Sequence, residues 1–132
     1  MSNRKGKITR IWLAMIEVSD INRSLDFYNK ILGLPIALDA RKFNHAELGP
    51  EEPLAKIGLH QSEVATNDVK KTGIVFDTDD IHSLYKRLKG DGVEFTQEPT
   101  KMPWGSTVAD FLDPDNNELE VVEDLEHYTR KY

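Results

Sequence analysis

The tetrapeptide Val18-Ser19-Asp20-Ile21 returns as Thr78-Asp79-Asp80-Ile81 sixty positions later, and each copy joins an apolar run to a stretch of helical periodicity. Two such strand-to-helix junctions constrain the chain to two similar modules packed together. A small ligand would lie in the seam between modules of this kind, so function is sought among inward-facing strand residues.

The apolar periodicity extends the repeat. Ile8 to Val18 reads as a strand, and Asp20 caps a helix whose apolar stripe is Ile21, Leu25, Tyr28 and Ile31-Leu32, with Gly33 as its stop. Pro35 to Asp39, Phe43 to Leu48 and Leu54 to His60 then read as three strands. Gln61 to Lys71 is polar and reads as a connector. Beyond it, Thr72 to Thr78 is a strand, Asp80 caps a helix carrying Ile81, Leu84, Tyr85 and Leu88, and Val93 to Glu98, Ser106 to Leu112 and Glu118 to Glu123 are strands. Asp113-Pro114-Asp115-Asn116-Asn117 is a hairpin turn in which proline presets φ and asparagine tolerates the left-handed conformation. The expected fold class is α+β, with tandem βαβββ modules forming a curved mixed sheet, a half-barrel with a cleft. It is read as a single domain over residues 1–132, with module one at about 7–60, a linker at about 61–70, module two at about 71–124 and a tail at 125–132.

Composition excludes several classes of function. With 17 basic and 23 acidic residues, and a net charge of −6, neither nucleic acid nor a membrane is an expected partner. The absence of cysteine removes thiol nucleophiles, thiolate metal sites and disulfides. Met1 to Lys7 is polar and no apolar stretch of signal or membrane-spanning length follows it, so a cytoplasmic location is expected.

The stretch from Val18 through Asn22-Arg23-Ser24-Leu25-Asp26-Phe27-Tyr28 to Leu32-Gly33-Leu34, together with Asp113-Pro114-Asp115-Asn116-Asn117-Glu118-Leu119-Glu120, resembles the opening and closing signatures of the vicinal oxygen chelate superfamily, which includes glyoxalase I, bleomycin-resistance proteins and extradiol dioxygenases. Asn116 stands where that family usually has glycine. The resemblance implies a divalent metal held by His or Gln on the first strand, Glu on the fourth, His on the fifth and Glu on the eighth. Those places fall on Leu13, Gly58, Gly73 and Glu120, of which only Glu120 carries a donor side chain. The expectation is therefore no family metal and no cofactor. The alternative is one divalent ion such as nickel, zinc, iron or manganese on a displaced set, His45, His60 and Glu120.

Strand alternation sorts the other positions. Leu13, Met15, Glu17, His45, Lys56, His60, Val75, Phe111 and Glu120 are expected to face the cleft, with Trp104 on its rim. Glu120, His60 and Glu17 are the candidates for acid–base work. His82 and His127 read as solvated. The leading reading is a binding protein of the glyoxalase and bleomycin-resistance type, holding a small organic molecule and expected to be a homodimer. The alternatives are a metal-dependent lyase, isomerase or dioxygenase with displaced ligands, and a metal-free enzyme working through Glu120 and His60.

Overall fold

The computed structural model describes residues 5–51, 55–63 and 65–124; the tail at 125–132, with His127, lies outside the described residues. Strand β1 (Leu13–Val18) leads into helix α1 (Ile21–Asp26), which widens into a π-helical turn over Phe27–Ile31. Strands β2 (Ile36–Ala40), β3 (His45–Leu48) and β4 (Lys56–Gln61) follow. The second set is β5 (Lys70–Asp77), helix α2 (Ile81–Gly90), β6 (Phe95–Lys101), β7 (Thr107–Leu112) and β8 (Asn117–Glu123). They make two four-stranded mixed sheets ordered β1-β4-β3-β2 and β5-β8-β7-β6. In each sheet the first and last strands of a module pair in parallel and the other pairs are antiparallel.

The junctions that reveal the repeat are built alike. Asp20 Oδ1 accepts from the Arg23 amide at 3.2 Å, and Asp80 Oδ1 accepts from the Ser83 amide at 3.1 Å. In each module a side chain at the end of the closing strand adds a second acceptor: Gln61 Oε1 takes the Ile21 amide and Glu123 Oε1 takes the Ile81 amide, both at 2.8 Å. The orphan amides of each first helical turn are thereby tied to their own sheet.

Several boundaries differ from expectation: β6 runs Phe95–Lys101 instead of Val93 to Glu98, and Phe43 lies in a 3-10 turn ahead of β3. The first strand begins at Leu13, where pairing with Lys56 starts; Ile8 and Ile11, upstream of that ladder, are exposed. The fifth begins at Lys70, inside the polar connector, because Lys70 pairs with Asn117 and its ammonium donates to the carbonyls of Thr66, Asp68 and Asp115.

One apolar core joins the modules on the helix side of both sheets. Ile16, Val18, Leu48 and Leu59 of module one share it with Leu88, Phe111, Leu119 and Val121 of module two. The β7–β8 turn clamps the two together. Asp115, fully buried, accepts from the backbone amide and hydroxyl of Ser19 and from Arg23, and Asp113 accepts from Tyr28 Oη at 2.7 Å and from the Asp115 and Asn117 amides. Asn116 closes that turn at φ +63°, the left-handed conformation asparagine tolerates. Burial, with Asp113 alongside, pushes the Tyr28 phenol well above its usual range, so it remains a donor. No described helix is long and apolar enough to cross a membrane.

Candidate functional site

The faces turned away from the helices carry the side chains of chemical interest. On the first sheet, the register sets Leu13 opposite Lys56, Met15 opposite Gly58 and Glu17 opposite His60. Strand β3 extends those rows, with His45 opposite His60 and Glu47 opposite Gly58. Two cross-strand rows result, Met15–Gly58–Glu47 and Glu17–His60–His45. On the second sheet, Val75 and Asp110 flank Glu120 from either side.

Gly58 makes room for Met15. A Cβ built on Gly58 would stand 3.0 Å from Met15 Sδ and 3.2 Å from a Leu13 methyl, so the thioether lies over the glycine and forms an apolar floor. Met15 is 51% exposed on that face, open to a ligand. Beside the floor Glu47 is only 7% exposed, and its Oε2 lies 2.8 Å from Nε2 of His45.

The second sheet has an acidic face. Lys71, Gly73, Val75, Asp110, Glu118 and Glu120 line a shallow recess of about 110 Å³. Burial first, then Asp110 and Glu118, raise the Glu120 carboxyl above its ordinary value, with Lys71 opposing. Asp110 is raised by burial and then by Glu118. Between the sheets, where β1 approaches β5, a larger hollow of about 350 Å³ is bordered by Met15, Glu17, Lys71 and Asn117. A crevice of about 210 Å³ between Leu34, Leu84 and Phe111 lies on the helix side instead, apart from the paired titratable groups. The open faces therefore offer the better combination of apolar floor and convergent polar groups.

Phe111 requires correction. It is 1% exposed and sits in the core on the helix side, with ring centroids 6.4 Å from Phe76 and 5.6 Å from Phe95. Pairing of Phe111 with Leu119 and of Asp110 with Glu120 sets the phase of β7 one residue away from the expected one. Asp110, the preceding residue, is the one that faces Glu120. The displaced metal set is not assembled within the chain: His45 and His60 are neighbours on the first sheet, while Glu120 belongs to the second. Among the described residues no three His, Asp or Glu side chains are arranged to hold a metal ion. Trp104, 76% exposed, stands in the turn between β6 and β7, and His82 is exposed on α2.

Comparison with known proteins agrees with this architecture. Residues 10–121 match the family model of the Glyoxalase/Bleomycin resistance protein/Dioxygenase superfamily. A crystal structure of a member of that superfamily from Sphaerobacter thermophilus DSM 20745 is 34% identical, covers 89% of this chain and 98% of its own, and superposes with a TM-score of 0.77. The lactoylglutathione lyase of Escherichia coli O157:H7 is 28% identical over 128 residues, 87% of this chain and 93% of the lyase. TnmS3, an antibiotic binding protein from Streptomyces sp. CB03234, shares the fold at 24% identity and a TM-score of 0.74, with 88% of this chain and 96% of TnmS3 covered.

Proposed function

Because the chain belongs to the Glyoxalase/Bleomycin resistance protein/Dioxygenase superfamily, we propose that it binds a small organic molecule against its open sheet faces and does so without a family-type metal ion. The observation that carries this reading is Met15 lying over Gly58. The position that the family resemblance gives to a carboxylate ligand has no side chain, and the space such a side chain would enter holds a thioether. Leu13 and Gly73 likewise offer no donor, and a single carboxylate, Glu120, does not hold a transition ion at useful affinity. The residues present do not fit the family's metal.

What remains suits ligand binding: an exposed apolar floor, a His–Glu pair beside it, and an acidic face on the second sheet. TnmS3, which shares the fold, is an antibiotic binding protein, and sequestration of an organic molecule is the parallel reading here. The working unit is a homodimer in the cytoplasm. Met15, Val75, Phe43 and Trp104 are large apolar side chains left open on one chain, and a second copy would enclose them around the ligand.

Thermal denaturation in the presence of a panel of small aromatic and heteroaromatic compounds tests the reading. A binder at about 100 times its Kd adds about 2.7 kcal/mol of stability. The expected result is a saturable rise in Tm with at least one compound, abolished by Met15→Lys. Stabilisation by divalent metal alone, with none by organic compounds, would contradict it.

A further inference from the structure

The crevice on the helix side is lined from both modules. Leu32 and Leu34 of the first meet Phe76, Leu84, Leu88 and Phe111 of the second around a space of about 210 Å³. Leu88 and Phe111 are buried, whereas Leu32, Leu34, Phe76 and Leu84 pack against the core only in part and leave the space open between them. A local device holds one wall in place. The chain takes a π-helical turn over Phe27–Ile31, so that Leu32 donates to the Phe27 carbonyl at 2.9 Å, and Leu34, after Gly33 at φ +86°, donates to the Tyr28 carbonyl at 3.0 Å. Wide turns of this kind recur at functional sites. Across the gap Arg87 of α2 donates from Nη1 to the Ile31 carbonyl at 2.9 Å, which ties the two walls at a set separation.

The border of this space is apolar except for Asp77 and Thr78 at the end of β5. Thr78 Oγ1 is already engaged, accepting from the Asp80 amide at 3.3 Å, and Asp77 belongs to the exposed phase of its strand. Water in such a space finds few partners, and an apolar cavity of about 150 Å³ is enough to admit benzene. We infer that the crevice is a second binding site, separate from the open sheet faces, for a small uncharged aromatic molecule between benzene and indole in size. Its ligand touches both modules and so stabilises their packing against one another. An ionised group would be desolvated against the apolar walls, which selects the uncharged molecule.

Indole is the probe, titrated into the full chain and followed by thermal denaturation and by amide shifts in heteronuclear NMR. The expected result is a saturable rise in Tm, with shifts centred on Leu34, Leu84 and Leu88 and not on Met15 and Gly58. Leu84→Trp fills the space from α2 and Leu34→Phe narrows it from the first module, and each is expected to weaken indole binding about tenfold. The two substitutions lie on different modules, so a folding defect in one leaves the other to decide. Met15→Lys, on the open face, keeps the wild-type affinity for indole, and indole-3-acetate binds about tenfold more weakly than indole. The crevice site is overturned by the absence of any saturable effect of indole, or by indole-3-acetate binding as tightly as indole. It is also overturned by shifts centred on Met15 and Gly58, with affinity lost in Met15→Lys and kept in Leu84→Trp. That last outcome would leave the open-face reading of function standing.

Discussion

Tyr28, on the first helix, donates its hydroxyl to Asp113, on the last hairpin, across 85 positions of sequence and at 2.7 Å. Both groups are buried, so the bond crosses between modules without competition from water. Tyr28→Phe leaves the Asp113 carboxylate one donor short and is expected to cost about 1–2 kcal/mol. Urea denaturation should show a lower midpoint at an unchanged slope.

The packing of Met15 over Gly58 makes a coupled prediction. Gly58→Ala sets a methyl 3.0 Å from the Met15 sulfur and 3.1 Å from its terminal methyl. The far end of a flexible side chain can yield, so the expected cost is about 1 kcal/mol, cancelled when Met15→Ala is added. A double-mutant cycle with no coupling between positions 15 and 58 would contradict this geometry.

Asp110 and Glu120 face one another across β7 and β8, and both carboxyls are raised, first by burial. A group with a raised folded-state pKa binds its proton more tightly folded than unfolded, so it lowers stability as pH rises through the unfolded value, near 4, up to the raised one. Above that window the penalty is complete, and below it there is none. Glu120→Gln is therefore expected to raise Tm by about 1–2 °C at neutral pH. The gain should vanish at about pH 3, as Tm scans at both pH values would show.

Phe111 carries the opposite expectation to Met15. Buried among Phe27, Phe76 and Phe95, it should cost about 3–5 kcal/mol when truncated to alanine. Met15→Ala, on the open face, should cost much less and instead weaken ligand binding. Denaturation of the two variants side by side separates core from cleft.

That contrast marks where the sequence was legible. Asp20 and Asp80 each precede an apolar helical stripe, and capping chemistry at equivalent places made the two modules readable. The rows of β1, β3, β4 and β8 follow from alternation because one phase in each is clearly apolar, as Ile57 and Leu59 are against Lys56 and His60. In β7 both phases are apolar: Val108 and Leu112 compete with Ala109 and Phe111, and only the pairing of Asp110 with Glu120 decides between them. Pairing partners are set by tertiary packing, which periodicity within one strand does not encode. For the same reason the sequence showed His45 and Glu47 on one face without the buried bond between them, and gave no sign that Gln61 and Glu123 close the helix junctions.

Metal content measured after saturation is the most direct test of the central claim, that this chain has lost the family's metal site while keeping its fold. Untagged protein would be offered nickel, zinc, iron and manganese in turn, freed of excess, and assayed by elemental analysis. The account predicts retention far below one ion per chain for every metal, because Leu13, Gly58 and Gly73 supply no donor. About one tightly held ion per chain would contradict it.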